Sequence, residues 1–191
     1  PPSQAASWLR SMQSAGVTPD TLCYNKVIAA YARARLPEVA QEWLATMRAA
    51  GVPPTVVSYS TSINGFAKTA QPAQAVALLR EMRQHGLQPD VVALNGVLEA
   101  HARAQEPRQA VVWLRRMEAG DELCAAPDVV SYTIVISALA KSGELDEAAA
   151  LLGRMEERGV AADLMCINTL VAGYATRGRL EQADELLQRM A

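Results

Sequence analysis

Apolar residues recur along this chain at helical spacing, and the stripe is interrupted and restarted at regular intervals. Tyr24, Val27, Ile28 and Tyr31 form one such run, and Tyr132, Val135, Ile136 and Leu139 form another. Steps of three and four residues place these side chains on one face of an amphipathic helix. A second run follows each first one: Ala40, Trp43, Leu44 and Met47, then Ala75, Leu78, Leu79 and Met82, and later Ala110, Trp113, Leu114 and Met117. Ala148, Leu151, Leu152 and Met155, and finally Ala183, Leu186, Leu187 and Met190, complete the series. The pattern predicts pairs of antiparallel helices, A and B, with no strands.

Breaks between the runs have matching chemistry. Pro2, Pro37, Pro72 and Pro107 share one place at the expected start of helix B, where a missing N–H costs no intrahelical bond. Gly143 and Gly178 stand at the A–B turn of two repeats, and Gly16, Gly51, Gly86 and Gly159 follow the closing Met of helix B as helix stops. Places ten and twelve of each A helix are small (Ala30 and Ala32, Gly65 and Ala67, Ala100 and Ala102, Ala138 and Ala140, Gly173 and Ala175), which lets helix backbones approach closely.

Counted from Thr21, Val56, Val91, Val129 and Leu164, the pattern restarts after 35, 35, 38 and 35 residues. A fixed period of this size means a stacked array in which no unit buries its apolar face alone. The expected architecture is all-α: an α-α superhelix, a right-handed solenoid of helical hairpins. It divides into a partial repeat 1–20, whole repeats 21–55, 56–90, 91–128 and 129–163, and a partial repeat 164–191, all one array. The longer third repeat locates its extra residues at Gly120-Asp121-Glu122, in an interrepeat loop. Because the chain starts and stops inside a repeat, a longer parent polypeptide is expected.

Composition narrows the function. Half of the 191 residues are apolar but only one is Phe, which suits close-packed aliphatic helices. The formal charge of −2 gives no general support to a polyanion partner, so any such argument depends on where charges sit. Cys23, Cys124 and Cys166 are too few and too scattered for a disulfide framework or a zinc site, and read as small packing residues. His101 takes a place filled elsewhere by Tyr31, Phe66, Leu139 and Tyr174 and reads as packing, and the Trp8, Trp43 and Trp113 series as core. There is no glycine-rich phosphate loop, nucleophilic triad or metal-spaced cluster. The expectation is a non-catalytic segment with no cofactor, no metal, no small-molecule substrate and no membrane insertion.

Repeat endings supply the family resemblance. Met12 to Gly16-Val17-Thr18-Pro19-Asp20 and Met82 to Gly86-Leu87-Gln88-Pro89-Asp90 close repeats that open with wording such as Val56-Val57-Ser58-Tyr59-Ser60. The tetratricopeptide signature, Gly at the eighth place, is absent, since Ile28, Ile63, Leu98, Ile136 and Val171 stand there. The chain resembles the pentatricopeptide repeat, P-type, over essentially its whole length. That resemblance implies single-stranded RNA binding at one nucleotide per repeat, in a mitochondrion or chloroplast, during RNA processing, stabilisation, splicing or translation.

By the same resemblance, the fifth and last residues of each repeat read a base: Asn25 with Thr55, Ser60 with Asp90, Asn95 with Asp128, and Thr133 with Asp163, while Asn168 lacks its partner. The implied target is 5′-pyrimidine-G-U-G-pyrimidine-3′. Second-place residues Leu22, Val57, Val92, Val130 and Met165 are implied to sandwich the bases. From position alone, Asp before a helix is equally an N-cap. Arg33, Lys68, Arg103 and Lys141 share the thirteenth place and form either a phosphate-contacting ladder or ordinary cationic helix ends. Net acidity, few whole repeats and the unusual Thr55 support an alternative: a protein-interaction scaffold or a structural subunit of a large assembly such as an organellar ribosome.

Overall fold

A computed structural model describes residues 1–120 and 125–188. Asp121 and Glu122 of the expected insertion, together with Cys124 and Met190, lie outside the described residues. Among the described residues there are eleven α-helices and no strands. They fall into two compact units, Pro1–Ala104 and Gln105–Ala191. The first holds α1 (Pro2–Ser14), α2 (Thr21–Arg33), α3 (Pro37–Ala49), α4 (Val56–Lys68), α5 (Pro72–Gln84) and α6 (Val91–Arg103). The second holds α7 (Pro107–Ala119), α8 (Val129–Ser142), α9 (Leu145–Glu157), α10 (Leu164–Thr176) and α11 (Leu180–Gln188).

Each helix boundary has a local cause. Asp20, Asp90, Asp128 and Asp163 cap α2, α6, α8 and α10, each carboxylate accepting the backbone N–H three residues on at 2.8–2.9 Å. Proline occupies the first turn of α1, α3, α5 and α7. At the far ends of α1, α3, α5 and α9, the N–H of Val17, Val52, Leu87 and Val160 reaches back to the carbonyl of the closing Met at 2.9–3.1 Å. The glycine just before each adopts φ of 73–75°. This left-handed C-cap satisfies orphan carbonyls and adds an apolar contact.

In the first unit α2, α4 and α6 pack side by side, and α3 and α5 each bridge two of them; α1 packs on α2. In the second, α8 and α10 are adjacent, with α7 and α9 on α8 and with α9 and α11 on α10. Neighbouring A helices pack backbone to backbone, whereas α3 and α5, and α7 and α9, meet only through long side chains such as the Arg48–Glu81 and Arg154–Glu118 pairs. Each unit is therefore tightest on its A-helix side. Small residues permit that approach: a Cβ added at Gly65 of α4 would lie 3.1 Å from the Cβ of Ala32 on α2.

Large side chains fill the space between the layers. Tyr24, Tyr59 and Tyr132, at the fourth place of their repeats, are fully buried with Ile28, Ile63 and Met82. Burial of each such side chain contributes about 1.5–3 kcal/mol. Trp43 is buried beside Tyr24, ring centroids 6.4 Å apart. Trp8 does not belong to the core as expected: it is 67 % exposed, because the backbone of α1 packs closely against α2 alone, with only Arg10 reaching over the Trp43 ring of α3. Trp113 is half-buried under the Arg116 guanidinium, and Leu187 on α11 is exposed. Cys166 and His101 are buried and Cys23 half-buried.

Candidate nucleic-acid interface

The second-place residues lie in the first turn of each A helix, and all five point outward. Leu22, Val57, Val92, Val130 and Met165 are between 48 and 64 % exposed, although the residues two places on, Tyr24, Tyr59, Leu94, Tyr132 and Ile167, are buried or half-buried. Single exposed apolar residues are ordinary, but recurrence at one place of every repeat is not explained by packing.

One turn further along, on the same helices, stand the fifth-place polar residues. Asn25, Asn95 and Thr133 are half-buried, Asn168 is exposed, and Ser60 is buried at 4 % exposure. The last-place residues are the N-caps of the next A helix. In the first unit the Ser60 hydroxyl lies 3.0 Å from Asp90 Oδ1, the oxygen that accepts the Ala93 N–H at 2.8 Å, and 2.8 Å from the Val56 carbonyl, so two acceptors share its single proton. Asp90 thus acts as a helix cap and faces the fifth-place residue at once, so capping and base contact are compatible for this side chain.

Two other pairs are arranged differently. Asn25 bonds not Thr55 but Ser58, whose hydroxyl donates to Asn25 Oδ1 at 2.6 Å. Thr55 in turn donates its backbone N–H to Ser58 Oγ at 3.0 Å, with the two hydroxyls 3.2 Å apart. In the second unit Thr133 Oγ1 donates to the Val129 carbonyl at 2.7 Å and lies 3.0 Å from Cys166 Sγ. Its single proton is committed to the carbonyl, so the thiol is the donor to Thr133. Burial pushes that thiol up to about 11, which keeps it protonated near neutral pH. Asp163 caps α10 through the Cys166 N–H at 2.8 Å. Asn95 lies on α6 and Asp128 caps α8, in different units.

Ser58 and Cys166 are the residues that sequence reasoning passed over. Their column, Cys23, Ser58, Ala93, Ser131 and Cys166, is small throughout and looks like packing alone. The available signal was that four of its five members carry a hydrogen-bonding atom one helical turn from a polar fifth residue.

Arg33, Lys68, Arg103 and Lys141 are all exposed at the ends of their A helices. Arg103 is not equivalent to the others, since its Nε pairs with Glu99 at 2.5 Å along α6. Among the described residues, no group of His, Cys, Asp and Glu is placed to hold a metal ion, and no helix is long and apolar enough to cross a membrane.

Comparison with known proteins gives a consistent result. Sequence profiles of the PPR repeat family match residues 19–68 and 55–103, and PPR repeat profiles match 124–156 and 166–191. A chloroplastic pentatricopeptide repeat-containing protein of Arabidopsis thaliana is 35 % identical over 74 residues, covering 39 % of this chain and 10 % of that protein. A second Arabidopsis pentatricopeptide repeat-containing protein is 35 % identical over 63 residues, covering 33 % of this chain and 11 % of its own length. The chain thus spans about a tenth of these relatives.

Among solved structures, the pentatricopeptide repeat protein PPR10 from maize superposes with a TM-score of 0.77 at 22 % identity, over 99 % of this chain and 31 % of that one. PPR10 in complex with an 18-nt psaJ RNA element gives 0.73 at 28 % identity, over 92 % of this chain and 29 % of that one. The PPR domain of Arabidopsis protein-only RNase P 1, in complex with tRNA, gives 0.71 at 14 % identity, covering 88 % of each chain. With family profiles along most of its length and the all-α hairpin fold to match, the chain belongs to the pentatricopeptide repeat family.

Proposed function

We propose that this segment binds single-stranded RNA, one base per repeat, and does so in a mitochondrion or chloroplast. One observation carries the reading: an exposed aliphatic side chain in every A helix, one turn from a polar fifth-place residue. Packed helices lie about 8–10 Å apart. Neighbouring bases in a stacked strand are only about 3.4 Å apart. A strand in register with the helices is therefore unstacked, and Leu22, Val57, Val92, Val130 and Met165 fill the gaps between splayed bases. Each exposed base edge then meets fifth- and last-place polar groups, which is how single strands are read.

The proposed target is 5′-pyrimidine-G-U-G-pyrimidine-3′, read by Asn25 and Thr55, Ser60 and Asp90, Asn95 and Asp128, Thr133 and Asp163, and Asn168. RNA complexes of PPR10 and of the RNase P 1 PPR domain support the ligand class. Arg33, Lys68 and Lys141 supply phosphate contacts, and three of these correspond to a log–log salt slope of about −2. Held extended, the transcript is kept from refolding and from nucleases, which suits RNA processing, stabilisation, splicing or translation. The test is selection from randomised RNA at two salt concentrations. Enrichment of G-U-G, with Thr133→Asn shifting the last G toward U, is expected. Salt-sensitive binding without base preference, or no binding, overturns the proposal and favours a protein-binding scaffold.

A further inference from the structure

Three fifth-place side chains have well-defined partners, and the partner changes with the third residue of the following repeat. Where that residue is Ser58, it donates to Asn25, 33 residues earlier. Where it is Cys166, its sulfur lies on Thr133, again 33 residues earlier. Ala93 occupies the equivalent place facing Ser60 and has no polar side-chain atom; there the side-chain neighbour of Ser60 is Asp90 at 3.0 Å, while Ser60 keeps the bond to the carbonyl four residues earlier that Thr133 also makes. Spacing, helix position and register are the same in all three cases; the fifth- and last-place residues differ as well, and a polar third-place atom is what Asn25 and Thr133 have and Ser60 lacks.

We infer that the third residue of each repeat positions the fifth-place side chain of the repeat before it, and so sets which base that repeat accepts. The specificity half rests on the RNA reading given above. The chemistry follows from counting protons. Ser58 Oγ accepts the Thr55 N–H, so its own proton is free to go to Asn25 Oδ1, the nearest acceptor at 2.6 Å. With one lone pair of its oxygen taken and the amide plane fixed by that bond, Asn25 presents the N–H donors of its amide to a base ahead of its remaining lone pair. Those donors suit pyrimidine O2 and cytosine N3, and oppose the N1–H and N2–H of guanine. Thr133, its proton held by the Val129 carbonyl, can offer only lone pairs, which suit guanine N–H donors. Ser60 and Asp90 together offer a carboxylate to the same donors. Third-place Ala therefore gives a repeat whose two readers act jointly, and third-place Ser or Cys gives one whose fifth residue is fixed without help from the last.

The experiment compares the 191-residue chain with Ser58→Ala, Ser58→Cys and Ala93→Ser. In the free protein, the side-chain amide resonances of Asn25 are expected to move in Ser58→Ala and to stay near their original positions in Ser58→Cys. In RNA competition, Ser58→Ala is expected to lower the pyrimidine-over-guanine preference opposite Asn25 about fivefold, the worth of one neutral hydrogen bond. Preferences opposite Ser60 and Thr133 stay constant. Ala93→Ser should weaken the guanine preference opposite Ser60 by a similar factor, with Asn25 unaffected. An unmoved Asn25 resonance in Ser58→Ala overturns the positioning role whatever the RNA does. Equal loss of affinity for all sequences overturns the specificity role and leaves Ser58 a stability residue. A parent chain with no base preference overturns the RNA reading and the specificity half together, while the Asn25 signal still decides the positioning.

Discussion

The fifteenth place of each repeat, at the A–B turn, holds Arg35, Ala70, Gln105, Gly143 and Gly178, and every one is left-handed, with φ of 59, 56, 61, 91 and 72°. The hydrogen-bonding is shared too: the N–H of Leu36, Gln71, Glu144 and Arg179 reaches back five residues to a helix-A carbonyl at 2.9–3.1 Å. The motif demands this backbone, and three repeats meet the demand with residues that disfavour it. A left-handed residue with a Cβ costs about 1–2 kcal/mol. Glycine recovers that cost but loses about 0.5–1 kcal/mol through the greater freedom of the unfolded chain. Ala70→Gly should therefore stabilise the first unit by about 0.5–1 kcal/mol. Gly178→Ala is the clean converse, because an added Cβ there meets no atom within 4 Å, and it should destabilise by a similar amount. Gly143→Ala is less clean, since its Cβ would lie 2.7 Å from an Arg177 guanidinium nitrogen that must swing away. Urea unfolding followed by helical circular dichroism reads the effect as a change in midpoint at constant slope. A lower midpoint for Ala70→Gly, or a higher one for Gly178→Ala, refutes the claim that backbone conformation governs residue choice at this turn.

Two further outcomes follow from buried acids and phenols. Glu118 is 3 % exposed in its side chain, accepts the Tyr132 hydroxyl at 2.8 Å and pairs with Arg154 and Arg158, so Glu118→Ala should cost the second unit about 2 kcal/mol, measured by urea unfolding. Burial first, then the nearby Glu81 and Glu118 carboxylates, push the Tyr59 and Tyr132 phenols up to about 12 from the usual 10. The folded state therefore holds those protons after the unfolded chain releases them, so stability is intact below about pH 10 and falls between 10 and 12. Tyr59→Phe and Tyr132→Phe should each flatten that fall in pH-dependent unfolding; an unchanged slope counts against buried phenols as its source.

Most of the fold was legible because its determinants are local. Apolar spacing marks the helix faces, Asp20, Asp90, Asp128 and Asp163 mark the starts of four A helices, and Pro37, Pro72 and Pro107 mark the starts of B helices. Trp8 was misread for the opposite reason. Its place in the repeat is that of buried Trp43, but burial there needs helices packed closely on both sides, and the backbone of α1 is packed closely against α2 alone. The left-handed turns at Arg35, Ala70 and Gln105 were hidden as well, since only Gly143 and Gly178 announce the conformation in their residue type.

What the sequence alone determined is the repeat: its period, its two helices, its caps, and the columns of residues that recur at fixed places. Those features depend on contacts within a turn or two of chain, and the order of residues is sufficient to specify them. Only the tertiary structure decided which partner each fifth-place side chain takes. Asn25 meets Ser58, Ser60 meets Asp90, and Thr133 meets Cys166, from residues 30 to 33 positions away. Helix-to-helix packing brings those groups within hydrogen-bond range, and the competition among nearby acceptors for a single hydroxyl proton selects between them.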